Sequence, residues 1–156
     1  MAHIQIQQII PAQPFAVYQY LTQPQNLKEE LKGLIEVELM NPSVEVQPGA
    51  EFLYRMKRYG VEQPVRFSVE KYVTGISFTY HQVSGLFASW RHTMKFEEKD
   101  AKSTLVTDLV EYELPFGLLG RLVDDFVAQS EVKKILKHRL DNATVQLSTV
   151  INQKET

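Results

Sequence analysis

Residues 89–120, SWRHTMKFEEKDAKSTLVTDLVEYELPFGLLG, constrain the fold more than any other stretch of the chain. Trp90, His92, Met94 and Phe96 alternate with Arg91, Thr93 and Lys95. That period of two sets a large, mainly apolar face against a charged one, as a half-buried strand requires. Val106, Asp108, Val110, Tyr112 and Leu114 alternate in the same way with Leu105, Thr107, Leu109, Glu111 and Glu113. The polar run 97–103 between them reads as a turn. The stretch is therefore two antiparallel strands leading into a helix. With the turn centred near Asp100, Met94 faces Val106, His92 faces Asp108 and Trp90 faces Val110. Cβ atoms of directly opposed residues lie roughly 4.5–5.5 Å apart, close enough for an imidazole and a carboxylate to hydrogen-bond. A slip of one residue would place the two groups on opposite faces.

The His92–Asp108 pair has two readings. A buried carboxylate on an apolar face needs a partner, because an unpaired one is costly. A polar pair that satisfies itself and fixes the strand register meets that need without any catalytic role. The alternative is a polar handle inside a ligand cavity, or a His–Asp base.

The whole chain of 156 residues is expected to form one domain with a sizeable core. A net charge of −2 argues against nucleic acid as a partner, which normally leaves a basic footprint. With no cysteine, disulfides, thiolate catalysis and cysteine-ligated metal are excluded. His3, His81, His92 and His138 show no metal-binding spacing, so neither a metal nor another cofactor is expected. No N-terminal apolar run resembles a signal peptide, and nothing approaches the roughly 20 apolar residues of a membrane span. The expectation is a cytoplasmic protein without stable membrane insertion.

In order along the chain, residues 3–10 alternate and predict a first strand, with the doubled Ile9-Ile10 marking a bulge or the strand end. Pro14 suits the first turn of a helix, and Phe15, Tyr18 and Leu21 sit at helical spacing. Leu27 and Leu31 predict a second short helix ending at Gly33. Strands follow over 35–40, 50–59, 64–73 and 76–82, with a turn at 60–63. Arg55, Lys57, Arg58, Arg66 and Lys71 fall on a solvated outer face. Residues 84–88, SGLFA, form a loop carrying Leu86 and Phe87. The final element spans about 116–151, with Val132, Ile135, Leu136, Leu140, Ala143, Leu147 and Ile151 at helical steps. Ser130 is a candidate cap within it, and the periodic segment 118–127 a separate piece or a kinked start. The predicted class is α+β: a curved antiparallel sheet of about seven strands wrapped around one long C-terminal helix, with two short helices after the first strand. A sheet so curved cannot pack flat on one helix, so a cavity is expected between them.

This order of elements resembles the START and pollen-allergen-like helix-grip superfamily (SRPBCC), also described as polyketide cyclase/dehydrase and lipid transport. A bacterial ligand-binding branch commonly reads FxDxQxxGPYxxWxHxHxF and then DxVxYxxPFGxLG. Here the first part stands as Phe78, Tyr80, Gln82, Gly85, Leu86, Phe87, Trp90, His92, Met94 and Phe96. The second stands intact as Asp108, Val110, Tyr112, Pro115, Phe116, Gly117, Leu119 and Gly120. Tyr80 replaces the usual acid, Leu86-Phe87 the Pro-Tyr, and Met94 the second histidine. The resemblance implies ligand binding, with aromatic-polyketide cyclisation in some relatives. The departures make this cavity more apolar and favour a hydrophobic ligand.

Two functions from different classes follow. The first is a non-catalytic module that binds a small hydrophobic or lipid-like ligand between sheet and helix. Its candidate lining is Tyr54, Phe78, Tyr80, Trp90, His92, Met94, Asp108, Tyr112, Leu119 and Phe126, with Leu86, Phe87, Leu118 and Leu119 as an apolar lip or simply core. The second is a cyclase or dehydratase acting on an aromatic polyketide-like substrate. His92 would be general base, oriented by Asp108, with Tyr80 or Tyr112 as acid.

Overall fold

The computed structural model describes residues 1–115 and 125–155. Seven strands form one antiparallel sheet: β1 (Ala2–Ile10), β2 (Glu36–Leu39), β3 (Glu51–Arg58), β4 (Val61–Val73), β5 (Ser77–Ser84), β6 (Ser89–Asp100) and β7 (Ser103–Glu113). Their spatial order is β1-β7-β6-β5-β4-β3-β2, so consecutive strands from β2 to β7 are hairpin neighbours and β1 returns beside the last. Helices α1 (Pro14–Thr22) and α2 (Leu27–Glu30) lie between β1 and β2 in the chain, joined by a 3-10 turn over Pro24–Asn26. The long helix α3 (Asp125–Glu155) follows β7. This is the expected helix-grip arrangement. Gly117, Leu118, Leu119 and Gly120, and the expected helix start at 116–124, lie outside the described residues.

Period-two burial runs along the sheet. In β1, Ile4 and Ile10 are buried while Ile9 is exposed; pairing runs through the doubled isoleucine without a bulge, and the pair marks the strand end, as β1 stops at Ile10. On α3, Val132, Leu136, Leu140, Ala143 and Leu147 are buried at steps of three and four, the spacing of a single helical face. Its Leu140, Ala143 and Leu147 join one large cluster with Val17 and Leu21 of α1 and Phe52, Phe78, Met94 and Val106 of the sheet. A smaller cluster joins Val132 and Leu136 to Ile4, Val110 and Tyr112. Each such side chain contributes about 1.5–3 kcal/mol through burial. Ser130 lies inside α3 and does not cap it, because the helix already begins before it.

The two short helices are too short to persist alone. Their C-terminal carbonyls, which lack intrahelical partners, are taken up by side chains. The Leu21 carbonyl accepts from Arg139 Nη2 at 2.8 Å, and that of Tyr20 from Asn26 at 2.9 Å. Asn142 Nδ2 donates to the Glu30 carbonyl at 3.0 Å, and His138 Nε2 meets the Lys32 carbonyl at 2.7 Å. Helix α3 thus docks both short helices. Phe15, placed on the helical stripe by its spacing, is exposed; Val17, Tyr18 and Leu21 form the buried face.

Two turns are tighter than the polar runs suggested. β3 and β4 pair up to Arg58↔Val61, leaving only Tyr59 and Gly60 in the turn instead of 60–63. Both have positive φ (54° and 76°), the twist that closes a two-residue hairpin. Pro64 falls inside β4, but β5 pairs with β4 only from Arg66 onward, so the strand has a single neighbour there. β6 and β7 likewise run on to Asp100↔Ser103, and only Ala101 and Lys102 turn. The charged residues of 97–100 therefore extend a strand rather than form a loop.

Candidate functional site

Tyr80, His92 and Asp108 come from three successive strands of the sheet. Tyr80 and His92 are direct partners across β5 and β6. His92 pairs with Val110 and Asp108 with Met94, so the β6–β7 register differs by two residues from the expected one. The cause is the turn, which lies at Ala101-Lys102 rather than at Asp100, with an irregularity between Glu98 and Asp100. A shift of two keeps both side chains on one face. His92 Nε2 accordingly lies 2.8 Å from Asp108 Oδ1, and His92 Nδ1 lies 2.7 Å from the Tyr80 hydroxyl. An ionised carboxylate can only accept, so Nε2–H donates to Asp108, and Nδ1 of the neutral ring accepts from Tyr80 O–H. His92 and Asp108 are 1% and 0% exposed.

Helix α3 adds a cation to this line. Arg139 is buried and donates through Nε to Glu30 Oε1 at 2.5 Å; its Nη1 lies 3.9 Å from Asp108 Oδ1. Its Nη2 also approaches Met94 Sδ at 3.2 Å. One guanidinium therefore faces two buried carboxyl groups. Burial pushes Glu30 up to about 7, against the pull of Arg139. Burial alone would lower Arg139, but the Glu30 and Asp108 charges outweigh it and hold the guanidinium above its ordinary value. Burial raises Tyr80 to about 12 and Tyr54 further still.

Three adjoining spaces, which share lining residues, lie between sheet and helices. The smallest, about 50 Å³, is bounded by Leu21, Pro24, Phe52, Tyr54, Phe78 and Met94. It shares Leu27, Phe67, Tyr80 and Arg139 with a chamber of about 110 Å³ that also touches Trp90, His92 and Leu136. That chamber shares Ile35, Met56, Leu86, Phe87, Val132 and Ile135 with an outer mouth of about 350 Å³. The mouth is mainly apolar, with Arg58, Gln63 and Glu131 also on its lining, and Tyr80 and Arg139 border the two smaller spaces.

Of the residues singled out from sequence, Tyr54, Phe78, Tyr80 and Met94 border the smallest space, and Tyr80, Trp90 and His92 the chamber. Asp108 stands behind His92. Tyr112 is buried in the smaller core cluster beside Phe87 and Trp90 and borders none of these spaces. Phe126 is 77% exposed, on the outward side of α3 and away from all three spaces. Leu119 lies outside the described residues. Sequence reasoning missed Arg139 and Glu30. Both stand on apolar helical stripes: Arg139 follows Ile135 and Leu136 and precedes Ala143, and Glu30 sits between Leu27 and Leu31. A charge on an inward stripe was the available signal. Among the described residues, no three histidine or acidic side chains are grouped to hold a metal.

A curved antiparallel sheet, a long C-terminal helix and a lined space between them define a helix-grip protein. The chain belongs to the family described as polyketide cyclase / dehydrase and lipid transport, whose family model matches residues 1–146. No curated protein matches the sequence. Among solved structures, TTHA0849 from Thermus thermophilus is similar at 19% identity and a TM-score of 0.71, over 93% of this chain and 99% of that one. Major latex-like protein 151 from Panax ginseng is similar at 15% identity and a TM-score of 0.69, over 93% and 96%. The di-domain ARO/CYC StfQ of the steffimycin biosynthetic pathway is similar at 13% identity and a TM-score of 0.67, over 92% of this chain and 49% of that one. At these identities the likeness is one of fold.

Proposed function

We propose that the protein binds a small, largely apolar ligand between the sheet and α3. The observation that supports this reading is the run of adjoining spaces whose shared lining is Ile35, Met56, Phe67, Leu86, Phe87, Val132 and Ile135, with Tyr80 and Arg139 common to the two smaller ones. Ligand sites are commonly concave and apolar, with a few placed polar groups. The experiment is native mass spectrometry of the purified protein with solvent extraction, repeated on Ile135→Trp, which adds bulk where mouth and chamber adjoin. A discrete apolar molecule present in the wild type and absent from the variant supports the reading. Equal occupancy in both, or failure of every hydrophobic probe to bind, overturns it.

A second reading, cyclisation or dehydration of an aromatic polyketide-like substrate, draws on the unbroken Tyr80–His92–Asp108 line. Both ring nitrogens of His92 are engaged, so His92 is not the base that meets substrate. Tyr80 takes that place, with His92 able to accept its proton and Asp108 holding the ring in one tautomer. Turnover lost in Tyr80→Phe with ligand binding retained would support this reading; unchanged turnover would end it.

A further inference from the structure

We propose that the tip of the β3–β4 hairpin is a gate on the mouth, and that the Arg58–Glu131 ion pair is the latch that holds it against α3. This rests on the binding reading above and names the element that moves to admit a ligand.

The two smaller spaces, about 110 and 50 Å³, fall well short of the roughly 300–1,000 Å³ of ordinary ligand sites. A ligand of ordinary size therefore has to part the sheet from α3 somewhere. Two sides of that gap are fastened. On the side of α1 and α2, Arg139 holds Glu30 and the Leu21 carbonyl, Asn142 the Glu30 carbonyl, and His138 the Lys32 carbonyl. On the side of β1, Val132 and Leu136 cluster with Ile4, Val110 and Tyr112, and Gln8 Nε2 donates to Thr144 Oγ1 at 3.1 Å. The third side is the hairpin. It gives Met56, Arg58, Val61 and Gln63 to the mouth, and α3 gives Ala128, Glu131, Val132 and Ile135.

The hairpin's support from the sheet ends early. β2 flanks β3 only as far as Lys57, and β5 flanks β4 only from Arg66, so the tip beyond them is a two-stranded ribbon. Such a ribbon is marginally stable by itself. At its base the β4–β5 register shifts between Arg66 and Phe67, the kind of irregularity at which strands bend. Arg58 links the ribbon to the helix. Its Nη2 donates to Glu131 Oε2 at 2.9 Å and to the Tyr59 hydroxyl at 3.0 Å, with the guanidinium 4.7 Å from the Tyr59 ring. The two side chains are 20% and 44% exposed. An ion pair so exposed is weak and screened by salt, so it closes the mouth without fixing it shut.

The test follows binding of N-phenyl-1-naphthylamine, a neutral fluorescent probe, by stopped flow on the full chain. In Glu131→Gln, association and dissociation should both quicken by about two- to fivefold, the range that one exposed ion pair spans. Added salt should raise both rates in the unaltered protein more than in Glu131→Gln. The chain has no cysteine, so Arg58→Cys with Glu131→Cys can be joined selectively by a short bis-maleimide. The joined protein should exchange the probe about tenfold or more slowly than the same variant left unjoined, as a closed lid requires. A change confined to dissociation in Glu131→Gln would make Glu131 a ligand contact and no latch. Unchanged rates in Glu131→Gln, or equal exchange with and without the crosslink, overturn the gate and leave the cavity reading standing. No binding of the probe by the unaltered protein overturns both.

Discussion

His92 and Asp108 are joined by a 2.8 Å hydrogen bond although neither is the other's strand partner. The bond runs diagonally across β6 and β7, and Arg139 approaches the same carboxylate oxygen from α3. Asp108 is thus the point at which sheet and helix share a charge. Asp108→Ala is expected to lower stability by about 3–5 kcal/mol, since it leaves a buried guanidinium without its second counter-charge and an imidazole N–H without an acceptor. His92→Gln, which retains a donor and an acceptor, should lose less than half as much. Urea unfolding at neutral pH measures both. A loss below about 1 kcal/mol for Asp108→Ala would show that the pair does not hold the fold.

Glu30 gives the protein a distinctive pH response. Its carboxyl rises from the usual 4.5 to about 7 because burial disfavours its charged form. The folded state therefore holds a proton that the unfolded state has released across that interval. The resulting stabilisation is complete below about 4.5 and is lost as pH rises through about 7, an effect of roughly 3 kcal/mol. Glu30→Gln should flatten this part of the stability profile. Urea midpoints measured from pH 5 to 8 on both proteins test it, and parallel profiles would refute it.

Leu140 is 0% exposed and central to the buried face of α3. Leu140→Ala should cost about 2–5 kcal/mol, the transfer of its methyl groups plus the cavity left behind. The same change at Val145, which is exposed on the outer side, should stay within about 0.5 kcal/mol. Thermal unfolding of the two variants distinguishes the faces.

Gly60 closes the β3–β4 hairpin at φ 76°, and a Cβ placed there would meet nothing within 4 Å. Gly60→Ala should therefore cost about 1–2 kcal/mol through backbone conformation alone, with no repacking. An unchanged denaturation midpoint would contradict that. The adjacent Tyr59 already tolerates φ 54°, helped by its ring lying 4.7 Å from the Arg58 guanidinium.

Period-two alternation was enough to place the strands and their inward faces, because burial on one side leaves a direct trace in residue order. It also put Tyr80, His92 and Asp108 on one surface, since a register error of two preserves the face. What it could not supply was the turn. Glu97, Glu98, Lys99 and Asp100 look like loop because they are polar, yet they extend β6 where both sides meet solvent. Arg139 and Glu30 were hidden for a different reason. Charged side chains on a helix are normally assigned outward, and only the fold shows that these two face each other. Phe126 illustrates the converse: an aromatic at a helical step, yet exposed.

The pairing of β1 with β7 ties Ala2 to Tyr112. During synthesis at about 5–20 residues per second, the first strand is made and then waits roughly 5–20 seconds before its neighbour exists. Through that interval Ile4, Ile6, Ile9 and Ile10 have no sheet to join. Of the seven strands, the first to be translated is thus the one that waits longest for its neighbour.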